Sequence, residues 1–228
     1  MNILYMSKKI IVAIDETDII LFKKIVTALD KEKCLIKIGS VSFNSIGKEA
    51  VDYASSLGFD IFLDLKLHDI PNTVEQSIKG LSSLPIKMLT IHISGGTEMM
   101  KAAKKAVSGT KIKIFGVTTL TSLNDDDTNY IFRRSASEQV LKMLDMAESV
   151  GIDGVVCSPQ ELEIVKSRKS LLCMTPGIRL DHLNDDQKRV MSPKNAIDLG
   201  ADYIVIGRPI TLSNDINKTL NDIYQSIL

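Results

Sequence analysis

The chain has 228 residues, enough for one domain with a core of its own or for two small domains. Its 28 Lys and Arg residues balance its 28 Asp and Glu residues, so the net charge gives no reason to expect binding to nucleic acid or to a membrane. With 44% hydrophobic and 25% charged residues, the composition is that of an ordinary soluble globular protein.

The cysteines and the N-terminal segment both favour a cytoplasmic protein. Cys34, Cys157 and Cys173 lie far apart, without CxxC spacing, and each sits in an apolar run. This pattern is typical of buried thiols in a reducing compartment. The N-terminal segment lacks the order of charged and apolar residues found in a secretory signal. No run approaches the roughly 18 apolar residues that a membrane span needs.

Short apolar runs alternate with longer amphipathic segments, which predicts eight strand–helix pairs. In chain order, each strand and the helix after it span 10–14 and 18–31, 35–38 and 43–57, 61–65 and 73–82, 88–93 and 98–107, 112–117 and 137–150, 154–157 and 160–166, 171–174 and 193–199, and 203–206 and 214–227. The strands are near-continuous apolar runs, as a parallel sheet covered by helices requires.

Eight such pairs in a chain of this length predict a compact (β/α)8 barrel, that is, a TIM barrel. A doubly wound open sheet is the alternative, because a one-dimensional pattern does not show closure. No linker or low-complexity tract marks a boundary, so we expect a single domain over residues 1–228. Two long connections, 118–134 and 177–192, follow strands five and seven. In a barrel both would lie on the C-terminal face, where active sites are found.

Charged residues cluster where the third predicted strand ends. Asp64 and Lys66 are two positions apart, so in a strand their side chains point to the same side. Directed into the mouth of a barrel, they would place a carboxylate beside an ammonium group. An ion pair on an exposed edge is the alternative interpretation. Asp69 follows in the turn before Pro71, where helix capping is the alternative to a functional role.

The run DLKLHDIPNTV at residues 64–74 resembles the signature of the orotidine 5′-monophosphate decarboxylase family. Its core, Asp-x-Lys-x-x-Asp, is shared with sugar-phosphate decarboxylases and hexulose-phosphate synthase, whereas the extended run is similar to the orotidine enzymes themselves. The resemblance covers nearly the whole chain. Its further segments, in order, are 11–15 (IVAID), 37–39 (KIG), 118–123 (TTLTSL), 175–179 (TPGIR), 187–190 (QKRV) and 207–210 (GRPI).

The resemblance implies a carboxy-lyase of pyrimidine biosynthesis that converts orotidine 5′-monophosphate (OMP) to uridine 5′-monophosphate (UMP) and CO₂. Loss of CO₂ leaves a carbanion at C6 of the pyrimidine, and the family uses no cofactor to stabilise it. We therefore expect no cofactor and no metal here, and placed charges must do this work. The three histidines, His68, His92 and His182, are scattered and predict no metal site. The resemblance also implies a homodimer with shared active sites.

The motif carries the family's catalytic roles onto four residues. Lys66 would protonate C6, and Asp64 would hold Lys66 and lie near the departing carboxylate. Asp69 would complete the charged array from the neighbouring subunit. Thr73, from that same subunit, would contact the ribose.

The remaining matches imply the binding residues. Asp15 and Lys37 would bind ribose hydroxyls, Thr121 would face the pyrimidine or the phosphate loop, and Pro176 would shape the base pocket. The phosphate would be held by a separate group consisting of Arg179, Gln187, Gly207 and Arg208. Glycine allows close approach of the backbone, and a guanidinium offers two parallel donors.

Two other functions remain open from the sequence. One is a phosphosugar decarboxylase of the same superfamily, which would need Mg²⁺ and an acidic ligand at the end of strand two, where this chain has Lys37. The other is a nucleotide-binding barrel without catalysis. Burying charged groups is costly, and binding alone does not require the five charges that lie at strand ends. These are Asp15, Lys37, Asp64, Lys66 and Asp69.

Overall fold

The computed structural model describes residues 8–179 and 191–228. In them, eight parallel strands close into a barrel, because β1 pairs with both β2 and β8. The strands are β1 (Ile10–Ile14), β2 (Cys34–Gly39), β3 (Ile61–Leu67), β4 (Met88–His92), β5 (Lys113–Val117), β6 (Gly154–Val156), β7 (Leu172–Thr175) and β8 (Tyr203–Ile206). The predicted (β/α)8 barrel is confirmed, and the open sheet is wrong.

Helices connect successive strands. They are α1 (Ile19–Ala28), α2 (Ser40–Ile46), α3 (Lys48–Ser56), α4 (Pro71–Leu81), α5 (Gly96–Ala106), α6 (Asp125–Phe132), α7 (Ala136–Val150), α8 (Leu162–Lys166), α9 (Pro193–Asp198), α10 (Arg208–Thr211) and α11 (Ile216–Ser226). Among the described residues, no helix is both long and apolar enough to cross a membrane.

Three features of these helices differ from the sequence prediction. The helix expected over 43–57 is two helices, because Gly47 at φ 78° ends α2 in a conformation that favours glycine. The long connection after β5 contains α6, which begins at a capping box between Asn124 and Asp127. A further short helix, α10, follows β8 directly.

The strands are mostly apolar because both of their faces are buried over most of their length. Alternate residues fill the inside of the barrel, where Ile11, Phe62, Phe115 and Met174 pack together with Leu35, Met88 and Val205. The intervening residues, such as Ile10 and Val12, belong to a larger cluster shared with the helices. Two apolar layers therefore hold the strand ends in fixed positions, and side chains carried on those ends are rigidly placed.

Candidate active site

A cavity of about 590 Å³ opens at the carboxyl ends of the strands. Its volume is in the range of small-molecule binding sites. Its apolar floor includes Phe62, Met174 and Val205, which also belong to the core inside the barrel. Charged side chains on the strand ends lie above that floor. The cavity thus has an apolar floor and a charged rim, and it lies at the C-terminal face of the barrel, where the sequence predicted the active site.

Four of the predicted residues form a chain of alternating charge along one side of the cavity. The Nζ atom of Lys37 lies 3.5 Å from Oδ1 of Asp15 and 3.4 Å from Oδ2 of Asp64. The same Oδ2 atom lies 2.8 Å from Nζ of Lys66. These residues come from three neighbouring strands, since Asp15 follows β1, Lys37 lies in β2, and Asp64 and Lys66 lie in β3. The barrel therefore brings together charges that are up to 51 positions apart in the sequence.

The end of β3 departs from a regular strand. Leu63 pairs with Leu89 and Leu67 with Ile91, so β3 has two more residues than β4 between these pairs. Within this bulge Lys66 adopts φ 49°, a left-handed conformation that is uncommon for a residue other than glycine. Its backbone N–H donates to Oγ1 of Thr90, which lies in β4. Asp64 and Lys66 thus meet as the sequence predicted, although the bulge replaces simple strand alternation.

The carboxylate of Asp64 is the centre of the array. Its burial raises its pKa, but the charges of Lys37 and Lys66, together with hydrogen bonds from Lys66 and Thr90, outweigh this effect. The net pKa lies below the ordinary value of 3.8, which keeps the group charged. A nearly buried carboxylate therefore lies against two ammonium groups. This is an arrangement that can stabilise developing charge on a bound molecule.

Two histidines lie near the same strand ends. The rings of His68 and His92 are 5.2 Å apart between centroids. Burial lowers the pKa of His92, and the neighbouring charges of His68 and Lys66 lower it further. A neutral imidazole at this position adds no positive charge near Asp64, so the charge of that carboxylate is balanced by Lys37 and Lys66. In the part of the chain that the structure describes, no group of three or more His, Cys, Asp or Glu side chains is placed to hold a metal.

Asp69 and Thr73 stand apart from the array. Both are exposed, and neither lines the cavity of its own chain. The carboxylate of Asp69 accepts a hydrogen bond from the N–H of Ile70, which is the residue that caps α4. The side chain of Ile70 is itself 66% exposed. A surface segment thus holds both residues, and their predicted roles stay predictions.

The rest of the cavity wall carries residues predicted to bind the base and the phosphate. Thr121, Pro176 and Arg179 line it, as do Gly207 and Arg208. At Gly207, a side chain would begin 3.4 Å from the carbonyl oxygen of Ala13, which is an ordinary van der Waals distance. Gln187 lies outside the described residues.

Several lining residues were missed by the sequence analysis. They include Glu16, Phe62, Thr211 and Leu212. Phe62 could have been found, because it lies two positions before Asp64 and thus on the same face of the strand. Thr211 and Leu212 lie at the end of α10, a helix that the apolar pattern did not predict.

A family model described as the orotidine 5′-phosphate decarboxylase / HUMPS family matches residues 8–223. Among curated proteins, an orotidine 5′-phosphate decarboxylase of Ehrlichia chaffeensis is 45% identical over 222 residues, which are 96% of each chain. A protein of the same name from Glaesserella parasuis is 41% identical over 97% of this chain and 100% of its own.

Among solved structures, an orotidine 5′-phosphate decarboxylase from Lactobacillus acidophilus superposes with a TM-score of 0.85. It is 35% identical in sequence, and the match covers 97% of this chain and 99% of that one. The similarity therefore extends over the whole barrel and is not confined to the motif in β3.

Proposed function

Since this chain belongs to the orotidine 5′-phosphate decarboxylase / HUMPS family, we propose that it is a carboxy-lyase that converts OMP to UMP and CO₂. The observation that supports this function most directly is the alternating chain of Asp15, Lys37, Asp64 and Lys66 at the mouth of the cavity. The reaction builds negative charge on carbon, and an ammonium group held at the mouth of a cavity with an apolar floor is well suited to stabilise it.

In the proposed reaction, the bond between C6 and the carboxylate carbon breaks, and its electron pair stays on C6. The ammonium group of Lys66 stabilises that carbanion and then gives it a proton, which forms UMP. The carboxylate of Asp64 fixes Lys66 through the 2.8 Å ion pair and lies near the departing carboxylate. Two such negative groups about 4 Å apart repel by roughly 4 kcal/mol at an effective dielectric constant near 20, which favours the loss of CO₂. No cofactor takes part in these steps.

The rest of the cavity binds the parts of OMP that do not react. Asp15 and Lys37, next to Asp64, bind the ribose hydroxyls. Thr121 and Pro176 lie against the pyrimidine. The phosphate occupies the side of the cavity formed by Arg179, Gly207 and Arg208, with Gln187 joining them. Strands seven and eight commonly end in a phosphate site in barrels of this type.

We also propose that the enzyme is a homodimer in which each chain completes the site of the other. Asp69 and Thr73 do not reach the cavity of their own chain, yet they sit on an exposed segment beside its rim, next to the exposed Ile70. From a second copy, Asp69 would extend the charged array past Lys66, and Thr73 would reach the ribose. In such a dimer the exposed Ile70 would be buried against the second copy, since the core of an interface is apolar.

A single domain over residues 1–228 and a cytoplasmic location complete the proposal. One barrel contains both described ranges. The three cysteines are buried and free, although the sulfur atoms of Cys157 and Cys173 are only 3.3 Å apart. Unpaired thiols at that distance fit a reducing compartment.

A spectrophotometric assay with OMP tests the proposed reaction. The purified protein should consume OMP and release UMP at the same rate with and without EDTA, because the charge stabilisation comes from side chains. The UMP analogue 6-azaUMP should inhibit this turnover by competing for the same cavity. No consumption of OMP, together with Mg²⁺-dependent decarboxylation of a keto-sugar phosphate, would favour the phosphosugar alternative. Binding of UMP without any consumption of OMP would favour a non-catalytic barrel.

Mixing two inactive variants tests the shared site. Lys66→Ala and Asp69→Ala homodimers should each be nearly inactive, whereas a hybrid dimer would contain one site with both residues intact. Random exchange of subunits at equal concentrations should therefore restore about a quarter of the activity of the unsubstituted enzyme. If the mixture is no more active than its two components, Asp69 does not act across an interface.

A further inference from the structure

We infer that Thr90 is a positioning residue for the decarboxylation, whose hydroxyl holds both the carboxylate of Asp64 and the backbone of Lys66 in their reactive arrangement. This inference rests on the proposed function, since it concerns the same two groups. Thr90 does not line the cavity, so it acts through its two partners and not on the substrate.

The hydroxyl of Thr90 uses both its donor and its acceptor capacity on these partners. It donates to Oδ1 of Asp64 over 2.9 Å and accepts the backbone N–H of Lys66 over 2.9 Å. A carboxylate only accepts and an N–H only donates, so the direction of each hydrogen bond is fixed. Thr90 is fully buried, which removes water as a competitor for either bond.

The bond to Lys66 supports a backbone conformation that the local chain does not favour. Lys66 has φ 49°, in a bulge where the pairing of β3 with β4 is interrupted between Leu63 and Leu67. Such a conformation persists only where the surrounding structure holds it. The hydroxyl of Thr90 replaces the missing ladder partner of the Lys66 N–H. It therefore fixes where the Lys66 side chain starts.

The bond to Asp64 fixes the rotation of its carboxylate. With Oδ1 held by Thr90, the other oxygen, Oδ2, faces Lys66 at 2.8 Å and Lys37 at 3.4 Å. Loss of the hydroxyl would free the carboxylate to turn and would remove one of the hydrogen bonds that lower the pKa of Asp64. One hydroxyl thus fixes both the backbone from which the Lys66 side chain extends and the orientation of the Asp64 carboxylate that pairs with it.

Packing alone does not explain a threonine at this place. Its neighbours in β4, Leu89 and Ile91, are fully buried, and the strand is otherwise apolar up to His92. Valine has nearly the same shape and would fill the same space without a polar group that needs partners. A role limited to packing therefore predicts that valine works as well as threonine.

The test compares Thr90→Val, which keeps the shape, with Thr90→Ser, which keeps the hydroxyl. For Thr90→Val we expect kcat to fall about 10- to 100-fold, because small misplacement of a catalytic group has effects of this size. The KM for OMP and the affinity for UMP should change little. The acid limb of the kcat profile should move to higher pH as Asp64 loses a hydrogen bond. Thr90→Ser should stay within about threefold of the unsubstituted enzyme, since it retains both hydrogen bonds.

Thr128→Val is the matched control. Thr128 is also fully buried, and its hydroxyl donates to the carbonyl groups of Asn124, which caps α6, and Asp125, neither of which belongs to the charged array. This variant should lose stability without a change in kcat or in the pH profile. If Thr90→Val does not fold, Thr90→Ala against Thr90→Ser gives the same comparison of hydroxyl present and absent.

The inference would be overturned if Thr90→Val had the kcat of the unsubstituted enzyme. It would also be overturned if Thr90→Val lost kcat only as much as Thr128→Val does and its pH profile did not shift. A serine variant as impaired as the valine or alanine variant would overturn it as well. If the unsubstituted protein does not consume OMP, the proposed function fails and the inference falls with it. If it does and Thr90→Val equals it, only the role of Thr90 is wrong.

Discussion

Replacing Lys66 with alanine should lower kcat/KM for OMP by at least about 10⁴-fold, which makes it the most damaging single change in the cavity. The substitution removes both a proton donor, worth roughly 10² to 10⁴ in rate, and a charge that stabilises the carbanion, worth about 10² to 10³. The measurement is the initial rate of OMP consumption at OMP concentrations well below KM. Binding of UMP should survive, because the contacts to ribose and phosphate are unchanged.

The fold should tolerate this change. The side chain of Lys66 is 38% exposed, and Asp64 keeps its contacts with Lys37 and Thr90. We expect a loss of stability of about 1 kcal/mol or less, as for a partly exposed ion pair. Lys104→Ala is the matched control, because Lys104 forms a 2.9 Å ion pair with Asp153, just before the start of β6. That variant should remain fully active. Normal turnover of OMP by Lys66→Ala would reject the proposed proton donor.

The barrel could be predicted because the burial of its strands determines a pattern that is visible in the sequence. Strands buried on both faces must be continuous apolar runs, and the eight runs all became strands of one closed sheet. The helices were harder. The segment of α6 begins with Asp125, Asp126 and Asp127 and buries little, so its existence depends on a capping box and not on an apolar stripe.

The sequence predicted which residues form the site but not the backbone conformation that brings them together. The spacing of Asp64 and Lys66 placed them together, and the resemblance to a family added Asp15 and Lys37 from other strands. The bulge in β3 and the left-handed Lys66 had no local signal, because lysine has no special preference for that conformation. The hydrogen bonds from Thr90 depend on that bulge. They appear only when β3 and β4 lie side by side.

Replacing Arg208 with alanine should lower kcat/KM for OMP roughly 10²- to 10⁴-fold, since charge-assisted hydrogen bonds are worth about 1.5–3 kcal/mol each and a guanidinium offers a phosphate two. Arg208 is exposed at the start of α10 and lines the cavity. It follows β8, which pairs with β1, so it lies at the strand end next to the one that carries Asp15. Because the phosphate lies far from C6, its binding energy serves to orient OMP against Lys66.

Orotidine, which lacks the phosphate, separates this role from a general loss of structure. The Arg208→Ala variant should process orotidine at nearly the rate of the unsubstituted enzyme, while its kcat/KM for OMP falls. Arg168→Ala is the control, because Arg168 pairs with Asp145 and Glu148 before β7 and does not line this cavity. It should cost some stability and leave both substrates unaffected. An equal fall for OMP and orotidine in Arg208→Ala would mean that Arg208 shapes the barrel mouth and does not bind the phosphate.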